Sequence, residues 1–444
     1  MKSTLSRRKF LGTATAAGAS LALARVSVSG ATTPSSAPAT TPAANVPIGS
    51  AWPISDRRDE EALISVLRSG RWGRTGAGGG ARVKEFEEIF AKRMVAKFCV
   101  ATSSGTTALL STLGALNIGP GDEVIIPPYT FVATFNAVTA SFALPVFADI
   151  APDTFEIDAK KIAAAITPAT RLLLPPHIAG STPELDEIAE LAETRGIALI
   201  EDACQALTAE WRGRPVGTRG IAGCFSFQAS KNLTSGEGGA VLTNDETFAN
   251  QVFNFHTPGA PRPAPGHGRA ANFRLTEFQA GLLLSQYSRF DAQQTARTEN
   301  ATYLATMLQK TPGISPAKLA SGCNRSGWHL FMLRYDAKQF AGLTRAKFMA
   351  ALAKQGVVAS GGYASLIRAP HVRALATNPH YIRIYGKDTM ARWLERHPCP
   401  ETDRLAEEGV WFAQTTLLAP RTAMERIAEA VANIQRNAGE LARS

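Results

Sequence analysis

Lys231 stands between two short apolar runs that read as buried strands, Cys224 to Phe227 before it and Ala240 to Leu242 after it. Gly236, Gly238 and Gly239 flank Glu237 in the stretch that joins them. An ammonium group ordinarily prefers solvent. A desolvated lysine has a lowered pKa, and its neutral amine can form a Schiff base with a carbonyl. The residues alone leave a second reading open, a surface lysine on a Gly-rich hairpin turn.

Upstream, Ile197 to Glu201 is an apolar strand, and Asp202 follows directly at its carboxyl end. In α/β sheets, ligands bind outside the carboxyl ends of the strands. A carboxylate beside a pyridinium nitrogen keeps that nitrogen protonated and makes the ring an electron sink. Lys231 with Asp202 is therefore the pair that pyridoxal 5'-phosphate (PLP) requires. Taken alone, an aspartate at a strand end also serves as a helix cap or turn residue.

The elements that must position this pair alternate regularly. Strands are expected at Phe98–Thr102, Glu123–Pro127, Pro145–Asp149, Arg171–Pro175 and Ile197–Glu201. Helices are expected between them at Thr106–Leu116, Thr130–Ser141, Asp158–Ile166 and Pro183–Arg195. Such alternation predicts an α/β fold, a three-layer α/β/α domain with a mostly parallel sheet. Two helical patterns precede it, at Asp56–Ser69 and Val83–Val95. From about Gln286 onward, shorter strands and helices (Trp328–Tyr335, Arg345–Gln355, Ala423–Ile434) predict a smaller α+β domain. The expected division is 48–285 for the large domain and 286–444 for the small one.

Several turns fall at the sheet edge where a ligand would sit. Ser103-Ser104-Gly105-Thr106-Thr107 opens a helix with small residues, which suits an anion at a helix N-terminus and equally suits a simple Ser/Thr cap. Phe131 follows one strand, either to stack on a flat ring or to fill the core. His177 follows another. The Gly-rich segment Gly70–Gly80 and the Pro/Gly segment 258–271 read as substrate-side loops or as surface turns. Asn272 begins N-F-R-L-T-E-F-Q-A, in which Thr276 is placed to cap a long helix.

Composition fits a globular chain: 444 residues, 45% hydrophobic and 19% charged, enough for two domains. The net charge is +10, and Lys2, Arg7, Arg8 and Lys9 lie in a segment expected to be removed, which leaves +6. No long basic block lies beyond the N-terminus, so a mild preference for anionic ligands is expected rather than nucleic-acid binding. The five cysteines match neither a zinc site nor a disulfide framework, and no metal is expected. Cys99, Cys204 and Cys224 lie in or beside apolar strands, which predicts core packing.

Ser6-Arg7-Arg8-Lys9-Phe10-Leu11 is a twin-arginine pattern. An Ala/Gly-rich stretch, Gly12 to Ala24, follows with Ala22-Leu23-Ala24 as a cleavage site, and it is too short for a stable membrane span. Residues 1–31 resemble a twin-arginine signal peptide, which implies periplasmic or exported delivery of an already folded protein. If the signal is not used, the protein stays in the cytoplasm. Residues 32–47 read as a Pro/Thr/Ala linker.

From about residue 50 onward the chain resembles the PLP-dependent sugar and aminocyclitol aminotransferases of the DegT/DnrJ/StrS type. The resemblance rests on S-S-G-T-T-A-L at 103–109, G-D-E-V-I-I-P-P-Y-T-F-V-A-T at 121–134, H-I-A-G at 177–180 and E-D-A-C-Q-A at 201–206. It continues with S-F-Q-A-S-K-N-L-T-S-G-E-G-G at 226–239 and the run from Asn272. It implies fold type I, with Lys231 as the Schiff-base lysine and general base and Asp202 on the pyridine nitrogen. Gln205 would meet the ring's phenolic side. Gly105, Thr106 and Ser226 would hold the phosphate, and Phe131 would stack on the ring. Asn272 would reach the phosphate of a neighbouring subunit's cofactor, which makes a homodimer the active unit. His177 and Glu237 match the pattern without a firm task, as weak substrate-side candidates. The implied reaction moves an amino group from glutamate or glutamine to a keto-sugar or keto-cyclitol. The alternatives are an exported binding protein without transaminase activity and a sugar dehydratase, whose relatives carry histidine where Lys231 stands. A cysteine desulfurase is disfavoured, because Ser230 precedes the lysine where that chemistry has histidine.

Overall fold

The computed structural model describes residues 48–443, apart from 77 and 260. The twin-arginine stretch and the linker therefore lie outside the described residues.

A seven-stranded sheet organises the larger part of the chain. Its strands are β1 (Phe98–Thr102), β2 (Glu123–Ile126), β3 (Leu144–Phe147), β4 (Thr170–Leu173), β5 (Ala198–Asp202), β8 (Ala222–Ser226) and β9 (Gly239–Thr243), in the order β1-β9-β8-β5-β4-β2-β3. The pairs β3–β2, β2–β4, β4–β5 and β5–β8 are parallel. Only β9 runs antiparallel, to β8 on one side and β1 on the other. All four residues of β2 and of β3 are buried, as expected for strands covered on both faces. The α/β reading with a mostly parallel sheet is thus observed.

Helix Ala81–Arg93 brings Phe86 and Phe90 onto β8 and the residue after it. Phe90 meets Phe225 edge-on at 5.3 Å, and Phe86 meets Phe227 edge-on at 5.2 Å. Such pairs add about 0.5–1.5 kcal/mol each beyond burial. They fix the strand end from which the Lys231 loop departs. The N-cap of the same helix is Gly80, which has no side chain to cap it. The buried carboxylate of Glu277 takes over, accepting from the N–H groups of Arg82 and Val83 at 2.9 Å each. Arg74, in the Gly-rich segment, is tied to Glu87 at 2.7 Å, and Glu87 also accepts from the Ala101 N–H.

Beyond the sheet, β6 (Glu210–Trp211), β7 (Arg214–Pro215) and β11 (Cys323–Arg325) form one small sheet, and β10 (Ile314–Pro316), β12 (Leu330–Tyr335) and β13 (Gly409–Ala413) form another. The second packs with helices Phe290–Leu308 and Arg421–Arg436 around Phe331, Phe412 and Ile427. Residues 366–399 do not stay with that C-terminal core. Val372, Tyr381, Met390 and Trp393 join the core of the large sheet, where Trp393 Nε1 donates to the Pro145 carbonyl at 2.6 Å. Among the described residues, no helix is long and apolar enough to cross a membrane.

Candidate active site

The carboxyl ends of β4, β5 and β8 open into a cavity of about 670 Å³. That lies within the roughly 300–1,000 Å³ usual for small-molecule sites. Strand register sets its floor. β5 and β8 are adjacent and parallel, with Asp202 opposite Cys224, and Pro176 bridges to Asp202 from the end of β4. His177, Asp202 and the Lys231 loop therefore leave neighbouring strands at one level.

Asp202 is buried, and its carboxylate is held rather than free. Oδ2 accepts from the Thr134 hydroxyl at 2.8 Å and Oδ1 from the Cys204 N–H at 3.3 Å. Thr134 belongs to the helix Val132–Ala140, so helix and strand fix the acid between them.

Lys231 lies in the connection from β8 to the antiparallel β9, so the turn topology is that of a hairpin. The connection is tightened by Phe227 N–H to Gly238 O, Ala229 N–H to Gly236 O and Lys231 N–H to Gln228 O, each 2.8 Å. Trp52 closes it from outside, donating Nε1 to the Ala229 carbonyl at 2.7 Å. The lysine side chain lines the cavity instead of standing in solvent. Loss of hydration pulls its amine below the usual lysine value, against the opposing influence of Cys204 and Asp202.

Gly105 and Thr106 line the same cavity at the start of helix Gly105–Ala115. Ser104 is the N-cap, in a reciprocal box with Thr107, so the capping reading holds for these residues. It leaves the N–H groups of Gly105 and Thr106, which precede the first intrahelical bonds, at the cavity wall. A Cβ on Gly105 would lie 2.7 Å from Ser226 Cβ and 2.9 Å from Cys204 Sγ. Ser226 thus sits against the helix start, and the three residues form one concave corner. Small size, N–H groups with no intrahelical acceptor and a hydroxyl are what a phosphate needs. With a desolvated amine and a fixed carboxylate in the same cavity, the residues fit PLP.

The remaining sequence candidates divide. Gln205 lines the cavity, accepting from the Ala179 N–H at 2.9 Å and donating to the Tyr363 hydroxyl at 3.0 Å. Phe131 lines it with half its surface exposed, and Glu237 stands exposed at its edge. His177 lines it too, buried, with Nε2 3.0 Å from Glu201 Oε2. Burial pushes the Glu201 carboxyl up, but His177 and the N–H groups of Gly217 and Arg219 bring it below the usual value. Asn272 is exposed and outside the cavity. Its neighbours dock on the Ser103–Thr107 turn: Ser103 N–H donates to Phe273 O at 2.7 Å, and Arg274 bridges Thr102. Cys99 is half-buried and Cys224 buried in the core. Cys204 packs on the core and also lines the cavity.

The sequence reading missed Trp52, Thr134, His329, Tyr363, Trp411 and Gln414, all of which line the cavity. Thr134 lay within a quoted stretch but carried no signal of a carboxylate partner. S-G-W-H-L at 326–330 and G-G-Y-A-S at 361–365 were the visible hints, small residues leading into a ring-bearing one.

Residues 53–432 match the DegT/DnrJ/EryC1/StrS aminotransferase family. The chain is 34% identical over 416 residues to the L-glutamine:2-deoxy-scyllo-inosose aminotransferase of Streptoalloteichus tenebrarius, covering 88% of this chain and 95% of the relative. The structure is similar to that of 3-amino-5-hydroxybenzoic acid synthase (TM-score 0.76, 30% identity, 88% and 99% covered). It is also similar to NtdA of Bacillus subtilis with bound cofactor PMP (TM-score 0.71, 25% identity, 85% and 81% covered). The chain therefore belongs to the DegT/DnrJ/EryC1/StrS aminotransferases, PLP-dependent enzymes of fold type I.

Proposed function

We propose that this enzyme transfers an amino group from glutamine or glutamate to a keto-cyclitol or keto-sugar. The observation that carries this reading is the desolvated amine of Lys231 in the same cavity as the fixed carboxylate of Asp202. Bound PLP supplies the electron sink for a negative charge developing on the donor's α-carbon. Lys231 would hold the cofactor through its Nζ, and the same Nζ, when free, would take the proton from the donor's α-carbon and give one to the acceptor carbon. Asp202 would keep a proton on the ring nitrogen, and Thr134 holds Asp202 in place. Gly105, Thr106 and Ser226 would seat the phosphate. Gln205, fixed by Ala179 and Tyr363, would face the ring's phenolic side, and Phe131 would cover the ring.

The substrate class is supported by the glutamine-dependent, cyclitol-aminating activity named for the relative and by the cavity's aromatic walls, Trp52, Tyr363 and Trp411. Such walls suit the C–H face of a saturated ring. The test is incubation of PLP-loaded enzyme with glutamine and 2-deoxy-scyllo-inosose, with mass detection of the amine. A panel of keto-cyclitols and keto-sugars that yields no amine with either donor would refute the reading.

The active unit is a homodimer, with Asn272 reaching the partner's cofactor phosphate. Exposed apolar residues on helix Arg57–Ser69 and just after it, Ile64, Leu67 and Trp72, support this, since such a cluster marks an interaction surface. Sedimentation showing only monomers at micromolar concentration would contradict it. The N-terminal pattern directs export by the twin-arginine route. A reporter fused to residues 1–47 should reach the periplasm, and Arg7→Lys with Arg8→Lys should block it; equal export of both fusions would remove this assignment.

A further inference from the structure

The connection between β8 and β9 continues their pairing beyond the strands. Ser226 stands opposite Gly239, and the bonds from Phe227 N–H to Gly238 O and from Ala229 N–H to Gly236 O carry that register on. Gln228 and Glu237 therefore face each other as a non-hydrogen-bonded pair, in which Cβ atoms lie about 4.5–5.5 Å apart and side chains share one face. The strand's alternation decides which face. Phe225 and Phe227 enter the core, whereas Ser226, Gln228 and Glu237 line the cavity.

Both residues are held, and both keep a polar group open. Gln228 Oε1 accepts from the N–H and the hydroxyl of Ser230, at 2.9 and 2.7 Å. An N–H can only donate, so the amide oxygen faces Ser230, and Nε2 is left with no partner among the described residues. Glu237 is held by its backbone, whose carbonyl accepts from Ser235 Oγ and from Gln279 Nε2 at 2.8 Å each. Its carboxylate stands exposed at the cavity edge, with neither a hydrogen bond nor an ion pair among the described residues. Trp52 completes the arm. Its Nε1 bond to the Ala229 carbonyl ties the indole to the residue between Gln228 and Ser230, and the indole lines the same cavity.

The rim thus offers a charged acceptor, a neutral donor beside it and an aromatic plane. A carboxylate only accepts, and the open amide nitrogen only donates. Two adjacent ring hydroxyls, each able to do both, satisfy the pair at once, and the bond to the carboxylate is charge-assisted. The α-carboxylate of an amino donor would instead be repelled by Glu237.

We infer that Glu237 and Gln228 read two adjacent hydroxyls of the acceptor ring, with Trp52 against its C–H face, and so select which ring ketones are aminated. The inference rests on the amino-transfer reading and deepens it. Both residues belong to the connection that carries Lys231, so one element positions the ring relative to the amine.

The test compares wild type, Glu237→Ala, Glu237→Gln and Gln228→Met, all PLP-loaded. Binding of scyllo-inositol, a ring polyol without a carbonyl, is followed by ligand-observed NMR. The half-saturating concentrations of 2-deoxy-scyllo-inosose and of glutamine are measured beside it. Loss of the charge-assisted bond should weaken scyllo-inositol and raise the ring-ketone requirement by about tenfold or more in Glu237→Ala. Glu237→Gln, which keeps an acceptor without the charge, should recover part of both. Gln228→Met removes the neutral donor and should give a loss of roughly threefold to tenfold. An unchanged visible band of its lysine-bound cofactor shows that the Lys231 turn is intact. The half-saturating glutamine concentration should stay within about twofold. A wild type that does not bind scyllo-inositol, unchanged binding and ring-ketone requirement in Glu237→Ala, or equal losses for ring ketone and glutamine would overturn the inference. If no protein transfers an amino group, yet scyllo-inositol binds wild type and not Glu237→Ala, the hydroxyl-reading pair stands and the amino-transfer reading fails.

Discussion

Thr134 donates its hydroxyl hydrogen to Oδ2 of Asp202 at 2.8 Å, from a helix that belongs to a different βα unit. The contact holds the carboxylate at one angle in the cavity floor. Thr134→Val removes the donor while conserving shape. A hydrogen bond to a charged group contributes about 1.5–3 kcal/mol, so the donor half-reaction should slow roughly 10- to 100-fold. Stopped-flow absorbance checks this, and the far-UV spectrum should not change.

Gly105 is required for space rather than for backbone freedom. Its missing Cβ would meet Ser226 and Cys204 inside 3 Å. Gly105→Ala should push Ser226 from the corner and lower cofactor affinity by about tenfold or more, roughly 1.4 kcal/mol. Titration of cofactor-free protein with PLP, followed by fluorescence, reads this directly.

Glu277 caps a helix from far away in the chain. Glu277→Ala leaves the Arg82 and Val83 N–H groups without their acceptor and removes a negative charge from the helix N-terminus. The expected loss is about 1–3 kcal/mol. Urea unfolding should show a lower midpoint with an unchanged slope.

His256 is buried beside Arg74, Arg262 and Arg274, and burial first, then those charges, bring it from 6.5 to about 3. The native protein therefore keeps it neutral. Between pH 6.5 and about 3 the unfolded chain binds a proton that the native chain does not, so stability falls as pH falls through that window. The slope is about 1.4 kcal/mol per pH unit for this one group. His256→Gln should flatten the profile by that amount between pH 6 and 4, read as the difference between two series of unfolding curves.

Much of the architecture was legible because strands and helices alternate at short spacing, and each strand's apolar run ends at the residues that face the ligand. Asp202 could be placed at the ligand edge on that basis; pairing it with Lys231 drew on the chemistry that PLP requires. What escaped depends on distant pairing. Nothing local marks Glu277 as the cap of a helix that begins at Ala81, or Thr134 as the partner of Asp202. Arg297 lies in A-R-T-E-N, a polar run that reads as a solvated helix face, yet its helix turns that side inward against Gln414. The excursion of residues 366–399 back to the large sheet was hidden for the same reason: its short helices carry no signal of which core they join.

The measurement that tests the central claim most directly is the visible spectrum of purified, PLP-loaded protein before and after glutamine, for wild type and Lys231→Ala. Wild type should be yellow, and its visible band should fall as glutamine is added while absorbance of the aminated cofactor rises in the near ultraviolet. Lys231→Ala should lack the lysine-bound band and show no turnover. A wild type that takes up PLP but keeps an unchanged spectrum with both glutamine and glutamate would contradict the account.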